Sequence, residues 1–386
     1  MKQKIWNKRR RKLLTVLAAG GLIILSSGCG AASPQKQTLV DTAMGTIVSQ
    51  TLYVQQKETQ SETASVMQLL TELEQQELSW RIEGSEVSRV NAQAMGNAEG
   101  GADSGRTEQE AGIKVQIAPS LYELLPRIWQ VSEDSGGALD VTLGSLCRLW
   151  NLDELAALAE NGGTTAAGGE QEQAADVGTG TERISIPTAE QIQAAMADCG
   201  YGRVQLSDGI ISLPAGMQLD LGAVGKGIAC DRISEYLRGQ PQITGAVVAV
   251  GGSVVTYGQK PDGSSWKVAI MHPREEGTYL GVLSLNGEHY ISTSGDYERY
   301  VMVDGVRYHH ILDPATGYPA RSGLCSVTIV CDSGLLADAL STACFVLGPE
   351  QGMALAKAYG AEALFVGEDG ALQMPEGMKE IFSSGQ

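Results

Sequence analysis

The stretch LDLGAVGKGIACDRISEYLRG, residues 219–239, combines a strand signal, a glycine-rich turn and a helix signal. The strand is predicted to end at Asp220–Leu221, and apolar side chains then recur at helical spacing at Ala229, Ile233, Tyr236 and Leu237. This geometry lets backbone N–H groups approach an anion at a helix N-terminus, and Lys226 adds positive charge. The G-x-x-G-x-G order is neither a Walker A loop nor a dinucleotide fingerprint. The glycines therefore indicate either close packing or an anion site.

The segments on both sides of this stretch indicate an α+β fold. Residues 38–54 alternate with β-branched side chains and predict a strand pair joined through Met44-Gly45-Thr46. From residue 203 onward, short β-rich runs with Asp-Gly and Asn-Gly turns alternate with two helices. Further helices are predicted over 63–79, around Pro126, which should kink or break its helix, and after Thr188, which forms a capping box with Gln191. This order differs from a regular βαβ alternation.

A second helix, DSGLLADALSTACFVLG at residues 332–348, carries two oxygen-bearing side chains one turn apart. Asp338 and Thr342 project from one side of the helix, next to its apolar stripe. Such oxygens suit Mg²⁺, which keeps few protein ligands and takes others from a substrate phosphate. The alternative is an aspartate that interacts with the helix dipole.

The stretch HHILDPATGYPA, residues 309–320, places two of the four histidines of the chain before two tight turns. His310 is predicted to be presented at a strand end, where a histidine can move a proton or contact a phosphate. The strand period directs His309 to the opposite side, and we assign it no role. A structural role for His310 is the alternative.

The first 28 residues are typical of a signal peptide. Seven positive charges precede the apolar run Leu13–Leu25. Ser27 and Gly28 before Cys29 resemble a bacterial lipobox, although Ser26 stands where leucine is usual. We therefore expect cleavage before Cys29, lipidation of its thiol, a tether over residues 29–37 and a domain over 38–386. The alternative is a secreted protein without the lipid.

Charge and composition limit the partners. Removal of the leader changes the net charge from −17 to about −24, which argues against nucleic acid and against charge-driven adhesion to anionic lipid. An acyl chain would hold the protein to the membrane instead. Two polar stretches near 97–112 and 161–182 are predicted to be disordered insertions. The six cysteines after Cys29 show no C-x-x-C spacing, so disulfides and zinc are not expected.

Seven segments in order resemble one known family. They are MGT (44–46), GGALDVTLGSLCRLW (136–150), DLGAVGKGIACDR (220–232), VGGSV (250–254), STSGDYERY (292–300), HILDPATGYP (310–319) and ADALSTACFVLG (337–348). The chain is similar to ApbE-type FAD:protein FMN transferases from about residue 38 to its C-terminus, outside the two insertions. The resemblance implies a T-fold-like α+β architecture with antiparallel sheets, packed helices and FAD in a cleft between two subregions.

The resemblance also implies roles for individual residues. Positions that match FAD-binding residues of the family are Met44, Trp80 (often tyrosine there), Ala138, Leu139, Asp140, Asp220, Lys226 and Ile311. The metal site implied for Mg²⁺ consists of the carbonyl of Ala223 with the side chains of Asp338 and Thr342. His310 matches a histidine implicated in transfer. His310 and Asp220 are both candidates for the catalytic base.

The implied reaction is Mg²⁺-dependent cleavage of FAD at its pyrophosphate. FMN is then attached by a phosphoester bond to a Ser or Thr of a partner protein, and AMP is released. The implied acceptors are flavoprotein subunits of membrane electron-transport complexes, which agrees with a lipid anchor on the extracytoplasmic face of the bacterial membrane. Two alternatives remain: an FAD pyrophosphatase that gives FMN and AMP, and a lipoprotein that binds FAD without chemistry.

Overall fold

The computed structural model of the chain describes residues 33–55, 61–100, 112–160, 164–165 and 183–385. The predicted signal peptide (1–28) and Cys29 lie outside the described residues. So do residues 101–111 and most of 161–182, on which the disordered insertions were predicted. The compact unit described below spans Pro34–Gln386.

The strands are distributed along the whole unit. In chain order they are β1 (Gln35–Ala43), β2 (Thr46–Val54), β3 (Ile113–Gln116), β4 (Thr164–Thr165), β5 (Arg183–Ile184), β6 (Gln205–Ser207), β7 (Ile210–Leu213), β8 (Ile243–Val250), β9 (Ser253–Gly258), β10 (Trp266–Met271), β11 (Tyr279–Leu285), β12 (His289–Gly295), β13 (Tyr300–Val303), β14 (Val306–His309), β15 (Leu324–Cys331), β16 (Glu362–Gly367), β17 (Leu372–Gln373) and β18 (Phe382–Ser384).

The helices fall mainly between β2 and β8 and after β15. They are α1 (Glu62–Leu73), which continues into a π-helical turn (Glu74–Leu78), α2 (Glu86–Gly100), α3 (Pro119–Asp134), α4 (Gly144–Trp150), α5 (Leu152–Glu160), α6 (Ala189–Met196), α7 (Gly225–Arg238), α8 (Gly334–Leu347), α9 (Pro349–Ala358) and α10 (Glu376–Ile381). No helix among the described residues is long and apolar enough to cross a bilayer.

The centre of the fold is an antiparallel sheet with the strand order β1-β2-β8-β9-β12-β15-β16-β17. Because side chains alternate across a strand, the sheet has two apolar faces. One face packs on helices, with Val48, Val248 and Val327 in the main core. The other packs on the small sheet β10-β11-β18 around Trp266. The central strand β15 is therefore buried almost along its whole length, which explains its continuous apolar sequence.

A third apolar cluster supports the segment that contains His310. Leu146 and Trp150 of α4 pack with Ile192 of α6 and with Val301 and Val303 of the β13–β14 hairpin. The hairpin leads directly into residues 310–320. Packing far from the central sheet thus fixes the position of that loop.

The α+β prediction is confirmed, and several local predictions are confirmed with it. The β1–β2 hairpin turns at Met44-Gly45, and Thr188 with Gln191 forms the predicted capping box of α6. All six described cysteines are free.

Other local predictions are wrong. Pro126 does not break α3, which runs through it while Leu125 and Ile128 on either side remain buried. The predicted strand before the glycine turn is reduced to one bridge between Gln218 and Leu143. β1 begins at Gln35, inside the predicted tether, because Gln35 to Gln37 pair with β2.

The boundaries of the two predicted insertions also change. The helix α2 extends to Gly100, through the first residues of the stretch 97–112. Within 161–182, Thr164–Thr165 pairs in parallel with Arg183–Ile184. The rest of both stretches, residues 101–111, 161–163 and 166–182, lies outside the described residues, so the disordered insertions stay a prediction there.

Candidate functional site

The glycine-rich turn before α7 is held by Asp220. Its backbone N–H donates to the carbonyl of Val141 at 2.8 Å, and its Oδ1 accepts the N–H of Gly222 at 2.8 Å. These bonds join the turn to the segment 138–141 and leave Lys226 half-buried on the first turn of α7. A helix N-terminus with a lysine beside it favours an anion.

Two glycines allow α7 and α8 to pack at very short range. A Cβ atom added to Gly227 would lie 2.0 Å from the carbonyl oxygen of Gly334, and one added to Gly334 would lie 2.1 Å from that of Gly227. Asp231 of α7 also caps α8, because its carboxylate accepts the N–H groups of Gly334 and Leu335 at 2.6 and 2.9 Å. The glycine signal in the sequence thus has a packing cause at Gly227.

This close contact creates a polar pocket around Asp338, which is 3% exposed. Its Oδ2 accepts the N–H of Gly227 at 2.8 Å. Its Oδ1 accepts the hydroxyls of Ser253 at 3.0 Å and Ser292 at 2.5 Å. Among the described residues, no basic side chain lies within ion-pair distance of this carboxylate. The charge is therefore held by neutral donors only.

Thr342 lies one turn further along α8 and faces the same strand. Its hydroxyl is 3.2 Å from that of Ser294, which is 2.8 Å from that of Ser341. Ser292 and Ser294 are two residues apart on β12, so both point toward α8. Asp338 and Thr342 are brought together as their spacing predicted.

The chemistry of this donor set fits a hard cation. A carboxylate, a hydroxyl and a backbone carbonyl are oxygen ligands, and Mg²⁺ is commonly bound through one carboxylate with water and substrate phosphate. Oδ2 of Asp338 retains a lone pair beyond the one that accepts the N–H of Gly227. Ala223 is half-buried beside the start of α7, but no contact joins its carbonyl to Asp338. The described residues contain no cluster of three His, Cys, Asp or Glu side chains suited to a metal.

The two adjacent histidines point to different environments. His309 is 3% exposed, its Nε2 is 3.0 Å from the carbonyl of Ala320, and its ring meets Phe345 edge-on with centroids 5.5 Å apart. His310 is half-buried, and its backbone N–H donates to the carbonyl of Arg299 at 3.1 Å. Its Nδ1 lies 3.3 Å from the same oxygen. The prediction that the side chains of His309 and His310 point in different directions is confirmed.

The electrostatic surroundings keep His310 neutral. Desolvation lowers its pKa well below the usual value, and the positive charges of Arg299 and Lys226 lower the pKa further. With the proton on Nδ1 and directed at the carbonyl of Arg299, Nε2 carries a free lone pair. A neutral imidazole of this kind can accept a proton.

The loop that follows His310 is rigid for identifiable reasons. The Asp313 carboxylate accepts the N–H of Ala315 at 2.9 Å, and Gly317 has φ +74°, a conformation that favours glycine. The indole N–H of Trp150 donates to the carbonyl of Gly317 at 2.8 Å. The N–H of Ala320 donates to the carbonyl of Ile311 at 2.9 Å, which joins the two ends of the loop. Ile311 is 5% exposed.

Met44 reaches the start of α7 from the β1–β2 turn. It has φ +51°, and its N–H donates to Oε2 of Glu74 at 2.8 Å. A Cβ atom added to Gly225 would lie 4.0 Å from the Met44 methyl carbon. Met44 therefore lies beside Gly225, the first residue of α7.

Trp80 is covered by positive charge. The guanidinium carbons of Arg81 and Arg148 lie 4.2 and 4.5 Å from its ring centroid, and its indole nitrogen is buried without a hydrogen-bond partner. Burial lowers the pKa of the Arg148 guanidinium, and the negative charge of Asp220 opposes that change.

The segment 138–140 is further from the Asp338 pocket and has internal partners. Ala138 is 9% exposed, Leu139 is 1% exposed, and Leu139 belongs to the main core. Asp140 accepts the N–H and hydroxyl of Thr142 at 2.7 and 2.6 Å and the N–H of Tyr201 at 3.1 Å. Burial raises the pKa of Asp140. The carboxylate thus orders its own turn, and Val141 joins the segment to Asp220, which precedes α7.

The sequence reasoning missed several polar residues of the site. Ser253, Ser292 and Ser294 surround α8, and Arg81, Arg148 and Arg299 surround Trp80 and His310. The serines lie in the segments VGGSV and STSGDYERY, which were recognised as family motifs without a role. The spacing of Ser292 and Ser294, two residues apart on β12, was the signal that the sequence offered. The arginines gave no local signal.

Comparison with known proteins identifies the family. The sequence matches the ApbE family over residues 44–365. It is 32% identical over 334 residues to the FAD:protein FMN transferase of Treponema pallidum, which covers 82% of this chain and 80% of that protein. It is 30% identical over 379 residues to the FAD:protein FMN transferase of Vibrio cholerae, with 97% of both chains covered.

Solved structures agree. The flavinyl transferase ApbE of Pseudomonas stutzeri, in its apo form, superimposes with a TM-score of 0.69 at 29% identity, over 92% of this chain and 100% of that chain. The ApbE protein of Thermotoga maritima superimposes with a TM-score of 0.71 at 29% identity, over 90% and 99%. The expected ApbE-like α+β architecture is confirmed. The chain belongs to the ApbE family.

Proposed function

We propose that this chain is an Mg²⁺-dependent flavin transferase. It would split FAD at the pyrophosphate, attach FMN through a phosphoester bond to a Ser or Thr hydroxyl of an acceptor protein, and release AMP. The observation that carries the proposal is the buried Asp338 carboxylate. Only neutral donors hold it, and one of them is the N–H of Gly227, the residue after Lys226 at the start of α7. The names of the relatives support flavin transfer as the reaction.

The binding step follows from the charges around α7. Lys226 and the N-terminal N–H groups of α7 would attract the pyrophosphate of FAD. Asp338, Thr342 and the carbonyl of Ala223 would hold Mg²⁺. When bound, the ion offsets the charge on the phosphates and polarises the phosphorus that is attacked. Met44, which lies beside Gly225 at the start of α7, would contact a ring system of FAD, and Trp80 would do so as the family resemblance implies.

The transfer step needs a base for the acceptor hydroxyl. His310 is the better candidate, because it is neutral and its Nε2 is free, whereas Oδ1 of Asp220 already accepts the N–H of Gly222. The hydroxyl oxygen forms a bond to the FMN phosphorus, and its proton passes to Nε2 of His310. The bond from that phosphorus to the bridging oxygen breaks, and AMP leaves with the electron pair.

The test compares the full-length chain with the variant Asp338→Asn. Asparagine can accept from Gly227 and donate to the serines, so the fold should remain while the charge is lost. With FAD, Mg²⁺ and a candidate acceptor flavoprotein, we expect flavin fluorescence on the acceptor and equimolar AMP. The rate should fall in the variant on the order of 10³-fold. Asp262→Asn, on an exposed turn, is the matched control.

The other outcomes are decisive. Free FMN with AMP and an unlabelled acceptor would establish a pyrophosphatase. Unchanged FAD would establish a binding protein. Full transfer by Asp338→Asn at limiting Mg²⁺ would refute the metal assignment.

We also propose that the protein is anchored by a lipid on Cys29 at the extracytoplasmic face of the membrane, close to flavoprotein subunits of electron-transport complexes. The charge order of residues 1–28 and the small residues before Cys29 support this location. Cys29→Ala should abolish incorporation of labelled fatty acid in cells. Labelling of that variant would exclude Cys29 as the acceptor.

A further inference from the structure

One carboxylate bridges two arginines beside the candidate site. Asp153, in the first turn of α5, places Oδ2 3.1 Å from the guanidinium of Arg81 and Oδ1 3.6 Å from that of Arg299. Each arginine uses a different carboxylate oxygen. We call this group the Asp153 bridge.

Both arginines adjoin residues of the candidate site. Arg81 follows Trp80 and covers its ring at 4.2 Å. The backbone carbonyl of Arg299 accepts the N–H of His310 at 3.1 Å. The bridge therefore lies between the aromatic and the histidine that we assign to substrate.

The bridge is too weak to be what orders these loops. The side chains of Arg81, Asp153 and Arg299 are 52%, 48% and 44% exposed, and exposed pairs contribute about 0–1 kcal/mol each. The Trp80 loop is held by the Ser85 hydroxyl on the carbonyl of Ser79, and the hairpin after Arg299 is held by buried Val301. The pairs can be exchanged without loss of structure.

The main consequence of Asp153 is therefore electrostatic. The pyrophosphate of FAD carries two negative charges, and guanidinium groups bind phosphate oxygens well. A carboxylate that already holds both arginines competes with phosphate for them and repels it. The same competition helps a nucleotide product to leave.

We propose that Arg81 and Arg299 form an anion-binding pair for the pyrophosphate of FAD, and that Asp153 competes with the substrate for this pair. The inference rests on the proposed function, since it takes FAD as the ligand. It predicts that the apo enzyme keeps both arginines on Asp153 and that FAD, and AMP after transfer, exchange with that carboxylate.

The experiment measures the Kd of FAD for the full-length protein in Mg²⁺ without acceptor, by flavin fluorescence. Asp153→Asn should lower the Kd about threefold, and more at low ionic strength than at high. Arg81→Gln and Arg299→Gln should each raise it. Glu235→Gln, which removes an acid paired with Arg232 elsewhere on α7, is the matched control and should leave the Kd unchanged.

An equal Kd for Asp153→Asn and Glu235→Gln, or a weaker one for Asp153→Asn with an unchanged unfolding midpoint, would overturn the proposal. In the background Arg81→Gln/Arg299→Gln, the additional change Asp153→Asn should no longer tighten FAD; tightening there would show that the arginines are not involved. Wild-type protein that binds FAD but transfers nothing would refute the transferase while leaving the Asp153 result valid. Absence of FAD binding would refute both.

Discussion

The pocket around Asp338 and the Asp153 bridge each present a carboxylate to polar partners, but they are built in opposite ways. Asp338 is 3% exposed, has no cationic partner among the described residues, and accepts three bonds from Gly227, Ser253 and Ser292. The side chain of Asp153 is 48% exposed and is held by two arginines. A buried charge requires fixed donors, whereas an exposed pair can be replaced by water.

The difference separates two functions. The donors around Asp338 are fixed by the fold, Gly227 by the close packing of α7 on α8 and Ser253 and Ser292 by the pairing of β9 with β12. Such a site can hold an ion without rearrangement. The Asp153 bridge can open at low cost, which suits a group that must exchange partners when substrate enters.

The largest effect is expected from Gly227→Ala, which changes the contact between α7 and α8 beside Asp338. The new methyl group would lie 2.0 Å from the carbonyl oxygen of Gly334 and 2.7 Å from Cβ of Asp338. The two helices must separate, so we expect a loss of about 3 kcal/mol in the free energy of unfolding, measured in urea.

The matched control is Gly96→Ala, on an exposed part of α2 where an added Cβ meets nothing within 4 Å. That change should stabilise the protein by about 0.5–1 kcal/mol. Equal effects of the two substitutions would show that the α7–α8 contact does not shape the pocket.

A smaller effect is expected from Ser292→Ala, which removes one hydroxyl from Oδ1 of Asp338. Ser253 remains on the same oxygen, so the free energy of unfolding should fall by about 1–2 kcal/mol. Because such supporting bonds orient a metal ligand, the Mg²⁺ concentration needed for half-maximal transfer should rise about tenfold. The exposed Ser264→Ala serves for comparison, and an unchanged Mg²⁺ requirement in Ser292→Ala would remove Asp338 from the metal site.

The smallest effect is expected from Arg299→Gln, which removes one charge of the exposed Asp153 bridge. The effect is measured as a change in the pKa of His310. Desolvation, then Arg299 and Lys226, lower the pKa of His310, so the acid limb of kcat/KM should lie below pH 6.5 in the wild type. Loss of one positive charge raises this pKa, so the limb should move to higher pH, by less than about one unit because the side chain is 44% exposed. The backbone carbonyl that holds His310 is unaffected. The control Arg232→Gln should leave the acid limb of kcat/KM at the same pH. The same result for Arg299→Gln would show that Arg299 does not act on His310.

Much of the site was predictable because local rules apply to it. Helical spacing placed Asp338 and Thr342 on one side of α8, and strand alternation separated His309 from His310. The capping box at Thr188 and Gln191 was also readable. The family motifs then joined segments that local rules could not relate to one another.

Other features could not be read from neighbours in sequence. Pro126 was expected to kink or break its helix, but it does not break α3, in which Leu125 and Ile128 are buried. The strand expected before Asp220 is reduced to one bridge between Gln218 and Leu143. Thr164–Thr165 is ordered by a partner nearly twenty residues away.

The sequence by itself determined the apolar spacing that marks helices and strands, the turns, and the positions of side chains that can carry charge. The spacing and the turns depend on backbone geometry over a few residues, so neighbours in sequence are enough to predict them. Only the tertiary structure decided that Gly227 lets α8 bring Asp338 to α7, that two serines from separate strands satisfy it, and that Asp153 meets two distant arginines. The physical reason is that these contacts join residues far apart in the chain, and the packing of the whole core selects them.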